Sequence, residues 1–95
     1  MHNYDKHHSD PKYLGGDPDQ KLTNIDNADH IEIHKEMDKK YPRWRGKKYY
    51  DEQRAKNPKF DDEVYSFLVD LYKKFANKYP DLLKDFENNF KNRKK

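Results

Sequence analysis

Apolar positions are sparse early in the chain and periodic later. Val64, Leu68, Leu71, Phe75 and Tyr79 recur at four, three, four and four residues, the spacing of a single buried stripe on a helix that Asp61 or Asp62 can cap. Pro80 suits the first turn of a last helix, on which Leu83, Phe86 and Phe90 share a face. Upstream, Ala28 to Lys40 has no Pro or Gly and follows a candidate N-cap in Asp26 or Asn27, which predicts a helix ended by Tyr41-Pro42. Tyr49 to Asn57 reads as a short helix stopped before Pro58, and Pro42 to Lys48 as a basic loop. Lys21 to Ile25 alternates enough for a brief strand, and Met1 to Lys6 can pair with it. Gly15-Gly16 and Asp17-Pro18 between them read as loop. The pattern predicts an α+β chain, mostly helical overall.

A chain of 95 residues has room for one core, so a single domain over residues 1–95 is expected. Only 32% of its residues are apolar and 41% are charged, a balance near that of disordered chains had the apolar residues not been gathered into periodic segments. Eight Tyr, five Phe and one Trp make the expected core aromatic. With no cysteine, disulfides, thiolate zinc fingers and thiol nucleophiles are excluded, and any metal must be held by His, Asp, Glu or Asn. No apolar run is long enough to span a bilayer and no signal peptide is expected, so export would be directed from outside this sequence. The net charge of +3 says little by itself, but its distribution says more. Lys39, Lys40, Arg43, Arg45, Lys47 and Lys48 crowd one stretch, and Lys91, Arg93, Lys94 and Lys95 close the chain, giving two basic patches that suit a phosphate backbone.

Histidine adds the candidate chemistry. In His30-Ile31-Glu32-Ile33-His34 two imidazoles sit four apart on the expected helix and project from one side, one turn apart, so that they can grip a single cation. This is not a zinc-protease helix, because that motif needs Glu directly after the first His and Ile31 stands there. Glu32 lies roughly on the opposite side and reads as solvated. A second cluster, His7-His8, precedes Pro11 and Gly15-Gly16. Adjacent residues of an extended strand point to opposite sides, which allows one histidine to face a metal and its neighbour to face a substrate. Incidental surface histidines would carry the same spacing, and His2 reads as one of these. Trp44, between Arg43 and Arg45 and followed by Lys47, Lys48, Tyr49 and Tyr50, mixes cations with rings that can contact phosphates and stack on unpaired bases. Its other reading is a plug for the small core.

Taken together, His-His-x-x-Pro-x-x-x-Gly-Gly, a short strand and His-Ile-Glu-Ile-His at the head of a helix resemble the ββα-metal, or HNH, endonucleases, the His-Me finger group. The spacing is similar to that of the DNase colicins. Pro11 to Gly16, reading Pro-Lys-Tyr-Leu-Gly-Gly, is similar to a stretch in the carboxyl-terminal nuclease domains of polymorphic, Rhs-type bacterial toxins. The resemblance covers His7 to about Pro42 and thins beyond it. It implies a minimal ββα-metal unit over residues 1–42, followed by a helical half over 43–95 that completes the core and extends the nucleic-acid surface.

By position, the resemblance implies that His7, His30 and His34 are metal ligands and that His8 is the general base. Three neutral imidazoles would leave the ion its charge and an open position, and zinc, nickel or magnesium are the candidate ions. The family's middle Asn, which orients the base, has no registered counterpart: Asn24 is the nearest Asn, Gln20 lies nearer the register, and both can equally be turn caps. The implied activity is metal-assisted hydrolysis of phosphodiester bonds, with non-specific DNA as substrate and RNA as the alternative. The implied setting is a monomeric toxin domain, secreted or contact-delivered, that acts in a target cell's cytoplasm and is countered by an acidic immunity protein. Two rival readings are a non-catalytic, metal-stabilised nucleic-acid-binding module, in which His8 would be a fourth ligand, and a helical interaction protein whose histidines are incidental.

Overall fold

The structure, a computed structural model, describes residues 3–93. Strands β1 (Tyr4–His7) and β2 (Thr23–Asp26) pair antiparallel, with Tyr4 opposite Asp26, Asp5 opposite Ile25, Lys6 opposite Asn24 and His7 opposite Thr23. Helix α1 (Asn27–Lys40) follows β2 without a loop. A 3-10 turn over Arg43–Arg45 leads into α2 (Gly46–Lys56), and α3 (Phe60–Lys73) and α4 (Pro80–Lys91) complete the chain. The architecture is thus α+β and mostly helical, with one two-stranded sheet among the described residues.

Alternation along the strands decides what the sheet offers the helices. Partners directly opposite in an antiparallel pair share a face, so His7 and Thr23 stand together on the inner side and Asp5 with Ile25 follow two residues on. Thr23 and Ile25 are buried, whereas Lys6 and Asn24 face outward. Helix α1 covers that inner face and buries Ile33 and Met37 against it. The core continues through Leu14, Tyr41, Tyr50, Phe60, Val64, Leu68, Leu71, Tyr72, Tyr79, Leu82 and Phe86, and the rings of Tyr41, Tyr50, Phe60, Tyr72 and Phe86 pack edge to face or tilted against one another or against neighbouring rings.

Several boundaries depart from the sequence expectation. The first strand is displaced toward His7; Met1 and His2, to which the expected strand and a surface histidine were assigned, lie outside the described residues. Residues 43–48 are not a loop. The Arg43 amide is held by the Asp38 carboxylate at 3.1 Å, which starts a 3-10 turn, and Gly46 at φ 86° lets the chain redirect straight into α2. Asp61 and Asp62 do not cap α3 but occupy its first turn, where their charge complements the helix dipole. The α3 stripe holds at Val64, Leu68 and Leu71 and then stops, because the helix ends at Lys73. Tyr79, beyond it, is still buried in the core, and its hydroxyl accepts the Asp26 amide proton at 2.8 Å and donates to Asp29 at 2.6 Å, tying the start of α1 to the α3–α4 turn. On α4 the buried positions are Leu82, Asp85, Phe86 and Asn89, so the face is rotated from the expected one and Leu83 and Phe90 sit at its edge. No helix among the described residues is long and apolar enough to cross a membrane.

Two glycines shape the loop between the strands. Gly15 adopts φ 103°, where a side chain is strained, and a Cβ on Gly16 would lie 1.9 Å from the Asp10 carbonyl oxygen. The loop can therefore fold tightly under the strand that carries the paired histidines.

Candidate metal centre

The two periodicities of the chain converge on one point. Period two puts Asp5 and His7 on the inner face of β1, and period 3.6 puts His30 and His34 on the side of α1 that meets that face. The ring centroids of His7 lie 5.0 Å from His30 and 5.3 Å from His34, and those of His30 and His34 are 4.5 Å apart. One ligand atom from each of the three lies within 4.8 Å of the others, close enough to share a single metal ion. Among the described residues this is the one such group, and His8 stands outside it.

Hydrogen bonds to the rings fix their tautomers. The buried Tyr72 hydroxyl on α3 gives its only proton to the Ser9 carbonyl, 2.5 Å away. Its oxygen must then accept from His7 Nε2 at 3.1 Å, which assigns the His7 proton to Nε2 and leaves a lone pair on Nδ1. His30 Nδ1 lies 2.9 Å from the Asp5 carboxylate and donates to it, the arrangement that orients a ligating imidazole and raises its basicity. His30 Nε2 and His34 Nε2, 2.8 Å apart, share one proton, and His34 Nδ1 is buried with no hydrogen-bond partner. Three rings packed edge to edge, two of them with assigned outer partners and one with an orphaned nitrogen, form a donor set that fits a divalent cation.

The electrostatics keep His7 and His34 neutral. Burial, reinforced by the neighbouring His34 and His30, pushes the His7 pKa down to about 3, and burial together with His30 lowers that of His34 to about 4. The Asp5 carboxyl is lowered chiefly by the hydrogen bond from His30 and then by Asn27. Neutral imidazole is the form that binds metal, so at neutral pH His7 and His34 can take an ion without first shedding protons.

His8 lines a cavity of about 340 Å³ together with His7, His30, His34, Lys6, Pro11, Lys12, Tyr13 and Arg43. The paired histidines thus divide as an extended strand end requires, His7 into the cluster and His8 onto the wall of the space above it. Burial first, and Lys12 second, lower the His8 pKa, so this ring too is neutral near pH 7. A larger groove, about 600 Å³, lies between the 17–21 loop and α4, but its lining brings no group of metal-ligating atoms together.

Neither candidate for the middle position of the motif reaches His8. Gln20 is committed elsewhere: its amide nitrogen donates to the Asp10 and Asp17 carbonyls, both at 2.7 Å, and its oxygen accepts from the Asp10 amide at 3.0 Å and lies 3.2 Å from Asn89 Nδ2. Both its amide protons and its oxygen are engaged, so it braces the loop rather than the base. Asn24 is exposed on the outer face of β2, opposite Lys6, and forms no side-chain hydrogen bond among the described residues.

The two basic patches fare differently. Arg43 opens on the histidine cavity and is steered by two contacts to Asp38. Lys39, Lys40 and Arg45 line an adjoining groove of about 300 Å³ with Tyr49 and Tyr50, and Lys47 and Lys48 are exposed on the first turn of α2. The carboxyl-terminal patch does not present Arg93 to solvent. Its guanidinium makes a two-pronged bond with the fully buried Asp10, at 2.6 and 2.7 Å, and its side chain is only 14% exposed. Lys94 and Lys95 lie outside the described residues.

Tyr72, Asp5, Asp10, Asn89 and Arg93 are site-supporting residues that the sequence reading did not single out. Asn89 donates to Ser9 Oγ and to the Lys21 carbonyl, so α4 grips both ends of the loop that begins at His8. No family model, curated protein or solved structure matches the chain. The chemistry of the site therefore rests on its own geometry.

Proposed function

We propose that the chain is a metal-dependent endonuclease built on a ββα-metal unit, the two strands and α1, with α2 to α4 completing the core. The observation that carries this reading is the separation of roles at one cavity: His7, His30 and His34 can share an ion, while His8 lines the same space but is not one of them. A closed structural site would recruit a fourth protein ligand, whereas three ligands and an open side are typical of catalysis. When bound, a divalent cation supplies the Lewis acidity that offsets charge on a phosphate in the transition state.

The chain's own residues do the rest. Neutral His8 accepts a proton from the attacking water, and its lowered pKa keeps it in the accepting form at neutral pH. Arg43, on the same wall, holds a phosphate oxygen, and its ion pair with Asp38 keeps the guanidinium aimed there. The groove lined by Lys39, Lys40 and Arg45 extends the contact along the backbone without reading sequence, which favours non-specific attack. DNA is the proposed substrate by resemblance to the colicin and polymorphic-toxin nucleases. On that resemblance the chain is a monomeric effector domain delivered into a target cell, with an acidic immunity protein covering its basic face.

The test is cleavage of plasmid DNA and of structured RNA by the purified chain with zinc, nickel, magnesium or chelator, beside His8→Ala. The expected result is divalent-dependent cutting that His8→Ala abolishes while its metal affinity stays within about twofold. Metal binding that is lost with His8→Ala would make His8 a ligand and the chain a binding module.

A further inference from the structure

Trp44 is the chain's single tryptophan, and it is 80% exposed. It does not plug the core, although burying a ring of this size is strongly favourable. Its surroundings are specific. Arg43, the preceding residue, lines both the histidine cavity and a shallower one beside it that is shared by His30, His34 and the 60% exposed Ile31. The guanidinium carbon of Arg45, the following residue, lies 5.0 Å from the Trp44 ring and 4.8 Å from that of Tyr49, so one cation is held between two rings. Arg45 thus backs one face of the indole and leaves the rest of it to solvent.

Charge around the ring points to the occupant. Glu36, Asp38 and Asp51 pair with Lys39, Arg43 and Lys47 respectively. Lys40 lies over the Tyr41 and Phe67 rings, but Arg45 against the indole and Lys48 on the turn that follows have no ion-pair partner among the described residues, so the charge beside the indole is positive. An exposed ring within a positive rim is the chemistry of single-strand binding: cations follow the phosphates and the ring stacks on a base. Bases of an intact duplex are stacked on one another and cannot offer a face to it.

Resting on the nuclease reading for its phosphate site, we propose that Trp44 is a stacking platform for an unpaired base next to the phosphate held at the histidine cavity. The substrate class that follows is nucleic acid with single-stranded character, such as single strands, loops and frayed or gapped duplex, in preference to fully paired DNA.

Because Trp44 is the only indole, its fluorescence reports the contact directly. The non-cutting His8→Ala protein is titrated with a short mixed-sequence single-stranded oligodeoxynucleotide and with the blunt duplex of the same sequence. The single strand quenches the emission and binds more tightly than the duplex. Adding Trp44→Ala weakens single-strand binding, followed by anisotropy, roughly tenfold, which is about 1.4 kcal/mol and within the range for one stacked base. Trp44→Tyr restores most of it, and duplex binding changes little. Absence of quenching, or equal losses for the two forms, overturns the platform. These measurements need no turnover, so they stand if cleavage fails, and cleavage that survives in Trp44→Ala with an unchanged preference for single strands removes the platform alone.

Discussion

Replacing Tyr72 with Phe removes one oxygen and keeps the ring, and this makes it the cleanest perturbation of the metal centre. The hydroxyl is buried and bridges the Ser9 carbonyl and His7 Nε2. Its loss leaves a buried acceptor and a buried donor unmatched, which costs the fold about 1–3 kcal/mol. It also frees His7 to turn or change tautomer. Loss of an outer-shell partner of this kind typically weakens metal binding ~10–100-fold. Competition with a chromophoric chelator gives the affinity, urea unfolding of the metal-free protein gives the stability, and long-range proton–nitrogen spectra give the His7 tautomer. The expectation is weaker binding of zinc or nickel, together with loss of the Nε2-protonated signal that the Tyr72 hydrogen bond predicts for the wild-type ring. A Tyr72→Phe protein that is less stable but keeps wild-type metal affinity and the same His7 tautomer would refute the reasoning, because the hydroxyl would then serve the core alone.

The pH dependence of the metal-free fold has a definite sign. His7 and His34 have folded-state pKa values near 3 and 4 against an unfolded value of 6.5, so below 6.5 the unfolded chain binds protons that the native one excludes. Stability is therefore full above that value and falls as the pH drops toward 3; His7 alone accounts for on the order of 2 kcal/mol between pH 6.5 and 5, with the less deeply buried His34 adding less because water partly screens it. Urea midpoints at a series of pH values check this, and a midpoint that stays level from pH 7 to 5 would contradict it. Arg93→Leu strips the partner from the fully buried Asp10 and should destabilise the fold by about 3–5 kcal/mol, lowering the thermal midpoint more than Lys91→Leu on the exposed side of α4.

Local pattern made some of this protein legible and left out what depends on distant partners. The α3 stripe at Val64, Leu68 and Leu71 is visible because helical periodicity is a local property, and so is the pair His30 and His34, one turn apart on α1. The convergence of His7 on that pair is implied by the resemblance and is seen in the geometry, where the three rings lie within reach of one ion. Tyr72 escaped notice because it lies beside the stripe rather than on it, and its polar end meets residues 63 and 65 positions away. Asp85 and Asn89 look like exposed helix residues in sequence, yet their partners Thr23, Ser9 and Lys21 make them buried anchors of β2 and the loop. Arg93 read as part of a basic tail for the same reason: the carboxylate that captures it is 83 residues earlier. The helical structure of 43–48 was hidden by Pro42 and Gly46, which normally mark loops but here set the two ends of a 3-10 turn.

The most direct test of a shared ion at His7, His30 and His34 is its stoichiometry. Native mass spectrometry of the chain loaded with zinc or nickel, beside His34→Ala, should find one ion per wild-type chain and none on the variant at the same free-metal concentration. An unloaded wild-type chain, or an ion retained when His34 is gone, would contradict the account.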